Sequence, residues 1–142
     1  MPLSRDEKRA LLQAVPLFRG SSAEAIERLA EATSEFTFEA GAPIVKQGQV
    51  GNGLYIIISG GVRIVAGSDQ LARLGPGEFF GELSVIDQRP RAATAFADGE
   101  TVCLALAAWD LMALLEQEPG LAMNMLRELA GRLRDADAQL RH

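Results

Sequence analysis

The chain is 142 residues long, with 14 Lys and Arg against 19 Asp and Glu, a formal net charge of −5 and 48% hydrophobic residues, the composition of one compact globular domain. At this length about 68–70% of the unfolded surface can be buried, so the fold needs neither disulfides nor a structural metal, and one Cys with one His could supply neither. The single imidazole, His142, is the last residue, which excludes histidine-based catalysis, and the acidic balance argues against nucleic acid as the main partner.

The first nine residues carry charges of both signs and no apolar core, unlike a secretory signal, and no apolar run reaches membrane-spanning length. A cytoplasmic location without membrane contact by this domain is the expectation. Ala10, Leu11, Ala14 and Val15 follow a helical spacing over 6–15, and Pro16 stops the run. Ser21 and Ser22 then offer a cap, Glu24 sits in the first turn, and Ile26, Leu29 and Ala30 predict a second helix ending near Ala32. Residues 1–34 are thus an N-terminal helical segment.

From Phe36 the texture changes. Glycines at 41, 48, 51, 53, 60, 61, 67, 75, 77 and 81 separate β-rich runs at 35–38, 43–46, 54–58, 62–66, 71–74, 92–97 and 102–106, with 78–80 as the candidate eighth. Short strands and tight turns of this kind predict an antiparallel eight-stranded β-roll or jelly roll over 35–107, a mainly β fold with flanking helices. Helix formers return at 108–116 and again from Leu121 to the end, divided by Glu118-Pro119-Gly120. In the last helix Ala122, Leu126, Leu129, Leu133, Ala136 and Leu140 alternate spacings of four and three, a seam that packs lengthwise against something. It could close over a ligand, zip to a second copy, or pad the roll.

The chemistry concentrates in 77–94, Gly-Glu-Phe-Phe-Gly-Glu-Leu-Ser-Val-Ile-Asp-Gln-Arg-Pro-Arg-Ala-Ala-Thr. Gly81 removes a Cβ where a short apolar turn begins, so a ligand could approach main-chain N–H groups that a first helical turn leaves unpaired. Pro90 biases Arg89 toward extended backbone and returns the chain as a strand with Arg91 at its first position. The planar guanidinium of Arg91 matches two phosphate oxygens at once. Ala92 and Ala93 leave room beside it. Glu82 is out of place next to an anion unless it accepts a hydroxyl hydrogen, as a ribose phosphate would offer, or pairs directly with Arg91.

Phe80-Gly81-Glu82-Leu83 followed by Pro90-Arg91-Ala92-Ala93-Thr94 resembles the phosphate-binding cassette of the cyclic-nucleotide-binding domain family, spanning 80–94. The segments 41–48, 54–60 and 74–77 resemble the barrel strands and turns of that family in order. The resemblance implies a β-roll holding a nucleoside 3′,5′-cyclic monophosphate, flanked by N-terminal helices and by C-terminal lid helices over 108–142. It implies that Arg91 holds the exocyclic phosphate oxygens and Glu82 the ribose 2′-hydroxyl, within a ligand-binding set of Phe80, Gly81, Glu82, Leu83, Ser84, Arg91, Ala92 and Ala93. Family members that prefer cGMP commonly carry threonine directly after the cassette arginine, so Ala92 implies cAMP, with cGMP weaker.

Arg134, Asp137 and Leu140 are candidates to cap the base. Asn52, where an aspartate is more usual, and the short turn 67–70 depart from the family pattern, and neither is expected to touch the cassette. The partners implied are a small-molecule cyclic nucleotide and either a second copy through the final helix or an effector outside this chain. Arg89 reads as solvated, Cys103 as a buried inert thiol, Trp109 and Tyr55 as core, and Phe79 with Phe80 as anchors beneath the cassette. A metal-dependent cupin would need histidines this chain lacks, and a non-binding oligomerisation scaffold is the remaining rival.

Overall fold

The computed structural model describes residues 2–140, and of Leu83, Gln139 and Leu140 the backbone alone. His142 lies outside the described residues. Internal contacts divide the described chain into a β unit, Ala32–Met112, and a helical unit made of Leu3–Glu31 with residues 113–140. No helix among the described residues is long and apolar enough to cross a membrane.

In the helical unit, α1 (Arg5–Ala14) starts one residue before the predicted run because Ser4 caps it: its hydroxyl accepts the Glu7 N–H and the Glu7 carboxylate accepts the Ser4 N–H. Pro16 ends α1 and opens a single 3-10 turn, Pro16–Phe18. Ser22 caps α2 (Ala23–Ala32) by accepting the Ala25 N–H, and α2 buries Ala25, Ile26, Leu29 and Ala30. Arg5 and Arg9 reach from α1 to Glu27 of α2 at 2.6 Å each, and this pairing holds the Glu27 carboxyl below its ordinary pKa, the Arg9 hydrogen bond being the chief cause.

The β unit holds eight strands: β1 (Ser34–Phe38), β2 (Pro43–Val45), β3 (Gly53–Ser59), β4 (Val62–Ala66), β5 (Asp69–Leu74), β6 (Phe79–Phe80), β7 (Thr94–Ala97) and β8 (Thr101–Ala107). They form two antiparallel four-stranded sheets, ordered β1-β8-β3-β6 and β2-β7-β4-β5. At the centre of the first, Leu54 pairs with Leu106 and Ile56 with Leu104. The interior of the roll is Val45, Ile57, Val62, Phe80, Ala95 and Cys103, with Phe38, Ile44, Tyr55, Ile64 and Leu74 packed against them. Tyr55 stacks on Phe80 at 5.3 Å and meets Phe38 edge-on. β3 reads as an unbroken apolar run because Leu54, Ile56 and Ile57 are buried on both of its faces.

Between β6 and β7 lies α3 (Glu82–Asp87), and after β8 come α4 (Ala108–Gln117) and α5 (Pro119–Leu140). Glu118 alone separates the last two helices, because Pro119 takes the first position of α5, where its missing N–H costs nothing. The α5 seam is not a buried stripe: Leu126 is 61% and Leu133 71% exposed, while Leu121 and Met125 of the same helix are buried. Trp109 is exposed, contrary to the expectation that it lies in the core. α4 buries Leu111 and Leu114, and Trp109, two residues before Leu111, falls on the opposite side of the helix.

Candidate functional site

Phe80 ends β6 against Tyr55 of β3, and the chain leaves the sheet at Gly81, whose φ of 93° lies in the left-handed region. That turn launches α3, six residues from Glu82 to Asp87, closed by Gln88, also left-handed at φ 60°. The Leu83 and Ser84 N–H groups lie in the first turn, where no intrahelical acceptor exists.

The chain does not return as a strand at Arg91. It forms an isolated bridge between Val50 and Pro90, the Arg91 N–H donates to the Gln49 carbonyl at 2.7 Å, and the Gly48 N–H donates to the Arg91 carbonyl at 2.8 Å. Ala92, exposed, and Ala93, half-buried, form a bend, and β7 begins only at Thr94. The backbone of 90–91 is thus committed to the turn before β3, which postpones pairing with β2 and β4.

The Arg91 side chain is drawn inward, leaving the residue 8% exposed. Its Nη2 donates to the Gly53 carbonyl at 2.9 Å and its Nη1 reaches the Gly81 carbonyl at 3.5 Å. Burial lowers its pKa, while the phenol of Tyr55 and the Glu82 carboxylate act through space in the opposite sense. The Glu82 carboxylate is thus electrostatically coupled to Arg91, while the hydrogen bonds of the guanidinium go to the Gly53 and Gly81 carbonyls. Tyr55 is pushed up by its own burial, partly countered by the Arg91 charge.

The structure therefore gathers Phe80, Gly81, Glu82, Ser84 and Arg91 within one continuous segment. The Leu83 side chain lies outside the described residues. Ser84 is buried with its hydroxyl engaged by the protein, accepting the Gly51 N–H at 2.6 Å and donating to the Arg89 carbonyl at 2.5 Å. Its main-chain N–H, not its hydroxyl hydrogen, is what it can offer an anion. Phe79 and Phe80 are buried, and Arg89 is exposed.

Sequence reasoning missed Gly51 and Gly53. The turn carrying Asn52 was not expected to meet the cassette, yet its two glycines touch Arg91 and Ser84 directly. The signal was the Gly-Asn-Gly spacing itself, two residues without side chains flanking one whose carbonyl accepts the Ala108 N–H at the start of α4. Arg134 and Asp137 are exposed, and the Leu140 side chain lies outside the described residues.

An antiparallel roll carrying a short helix and a buried, carbonyl-held arginine defines a small-ligand binding module with a cationic anchor. The sequence profile described as "Cyclic nucleotide-binding domain" matches residues 35–118, and the chain belongs to that family. It is 40% identical over 130 residues to a cyclic AMP receptor protein of Thermus thermophilus, covering 88% of this chain and 60% of that one. It therefore spans less than two thirds of that relative's length. Its fold matches the N-terminal domain of a transcriptional regulator from Streptomyces coelicolor with a TM-score of 0.77 at 34% identity, covering 92% of this chain and 94% of that one. It also matches the regulatory domain of Toxoplasma gondii PKA in co-crystal with cAMP, with a TM-score of 0.77 at 26% identity over 90% of this chain and 50% of that one.

Proposed function

We propose that this chain is a cyclic nucleotide-binding regulatory domain, not an enzyme, that takes cAMP in preference to cGMP. The observation that carries the reading is Arg91: a guanidinium 8% exposed, held by main-chain carbonyls beside the first turn of α3. A cation this far desolvated gains from negative charge brought to it, and an anionic ligand at the first turn of α3 supplies that charge. In this reading Arg91 takes the exocyclic phosphate oxygens, and the Leu83, Ser84 and Ala93 N–H groups add donors. Glu82 accepts the ribose 2′-hydroxyl, while Phe80 and Gly81 floor and open the site. Ala92 offers no hydroxyl to guanine.

Support for the nucleotide comes from the family match and from relatives whose names specify cAMP. Occupancy is proposed to favour the arrangement in which α5 packs over the base, Arg134 and Asp137 being the described candidates for the cap, and to pass to whatever that helix engages. In this scheme residues 1–142 are read as a single cytoplasmic domain. The exposed α5 seam supports self-association: in a parallel pair its spacing sets Arg132 of one copy opposite Asp137 of the other. It equally favours the second reading, a scaffold that associates without binding nucleotide.

Isothermal titration with cAMP and with cGMP, paired with the thermal midpoint in each ligand, decides between them. Saturable heat, tighter for cAMP, with a raised midpoint is the expected result. No heat and no shift with either nucleotide would leave the scaffold.

A further inference from the structure

Ser84 and Gly51 face each other across the site without space between them. A Cβ on Gly51 would stand 2.7 Å from both Cβ and Oγ of Ser84 and 2.9 Å from Nη2 of Arg91, so one main-chain position touches the hydroxyl and the guanidinium together. The hydroxyl has one hydrogen, and it goes to the Arg89 carbonyl at 2.5 Å, while a lone pair takes the Gly51 N–H at 2.6 Å. Two residues beyond Gly51, the Gly53 carbonyl receives Nη2. Two and three residues before it, Gln49 and Gly48 hold the Arg91 main chain. The turn thus grips Arg91 at backbone and head, and Ser84 fastens the middle of that turn to the cassette.

We propose that Ser84 is a positioning residue for Arg91, its buried hydroxyl latching the Gly51 N–H to the Arg89 carbonyl so that the Gly53 carbonyl aims the guanidinium. The proposal deepens the cyclic nucleotide reading and rests on it for its consequence in binding. The latch itself belongs to the ligand-free protein. A hydroxyl spent on two main-chain groups is not a phosphate donor, so removing it acts on a ligand through Arg91.

Two measurements on the whole chain test this. In ligand-free protein carrying 15N-arginine, the Arg91 Nε–H signal, assigned by its loss in Arg91→Lys, stands apart from those of exposed arginines. It collapses toward them in Ser84→Ala and in Gly51→Ala. With cAMP as the probe, Ser84→Ala loses roughly five- to twentyfold in affinity, the scale of one or two buried hydrogen bonds, but less than about twofold when Arg91 is already lysine, because the two changes share one interaction. An unmoved Arg91 signal, or an equal loss in both backgrounds, overturns the proposal, the latter meaning that Ser84 meets the ligand itself. Failure of the wild-type chain to bind either nucleotide would instead sink the functional reading, with the arginine spectrum still deciding the positioning.

Discussion

The Arg91 guanidinium occupies the space that a side chain on Gly81 would fill: a Cβ there would stand 2.8 Å from Nη1 and 2.9 Å from the Gly53 carbonyl, on backbone at φ 93°. Neither neighbour can give way without loosening the other, since Gly53 also holds Nη2. Gly81→Ala should therefore cost about 1–3 kcal/mol of stability from strain and displacement together. It should also weaken cAMP by roughly tenfold or more as the guanidinium is pushed off its carbonyls. Urea unfolding and titration check the two effects separately, and wild-type affinity in this variant would mean that the observed guanidinium pose is not the binding pose.

Arg91→Ala should weaken cAMP by roughly 1.5–3 kcal/mol or more, the scale of a hydrogen bond to a charged group. It also leaves the buried Gly53 carbonyl without its donor, so some stability is lost even without ligand. The thermal midpoint of the ligand-free variant isolates that part. Arg91→Lys keeps the charge but loses the planar fork and should fall between wild type and alanine. Unchanged affinity in the alanine variant would remove Arg91 from the site.

Position 92 is an exposed alanine on the bend that follows the anchor. A hydroxyl placed there can meet a guanine edge without disturbing the core. Ala92→Thr is therefore expected to improve cGMP relative to cAMP by roughly two- to tenfold, one modest hydrogen bond. Competition between the two nucleotides measures the ratio, and a shift toward cAMP would undo the base preference.

What the sequence made legible, and what it hid, follows from the range of the forces involved. The eight strands could be located because glycine turns and β-branched runs are local signals, and 62–66 coincides with β4 at both ends. The start of β7 could not, since residues 91–93 are held off the sheet by bonds from Gly48 and Gln49, more than forty positions earlier. Glu82 and Arg91 were recognisable as chemistry from their types and spacing. For Gly51 and Gly53 the Gly-Asn-Gly spacing marks a tight turn but not its partners, because which guanidinium a carbonyl aims and which hydroxyl an N–H meets are set by residues more than thirty positions away. The Ser4 cap is the opposite case: Ser-x-x-Glu at 4–7 is a wholly local signal, and it sets the start of α1 one residue ahead of the apolar spacing.

Cys103 lies fully buried in the roll, and burial pushes its thiol up to about 12 from an ordinary value near 9. The unfolded chain releases this proton from about pH 9 and the native chain holds it to about pH 12. The stability it contributes is thus complete below pH 9 and is lost as pH rises through that window. Urea midpoints should fall more steeply between pH 9 and 11 in the wild type than in Cys103→Ala, with Tyr55 titrating in both. At pH 8 a thiol reagent should label native protein at least about a hundredfold more slowly than protein in denaturant, because both thiolate and access are withheld. Comparable rates would place the sulfur at the surface.

On α5 the apolar residues fall on two faces with different fates. Leu121 and Met125 are 2% exposed, whereas Leu126 at 61% and Leu133 at 71% stand in water, seven residues apart, with half-buried Leu129 between them. Two leucines on one heptad position cost about 1.5–3 kcal/mol each when left solvated, and a second copy of the same seam would bury four at once. In the parallel register that sets Arg132 opposite the other copy's Asp137, charge agrees with shape. The chain is therefore expected to sediment as a dimer at tens of micromolar. Leu126→Glu combined with Leu133→Glu should sediment as single chains with an unchanged helical signal, since neither side chain is part of the buried face. A wild-type chain that remains single at that concentration, or a charged variant that still pairs, would rule the seam out as the contact.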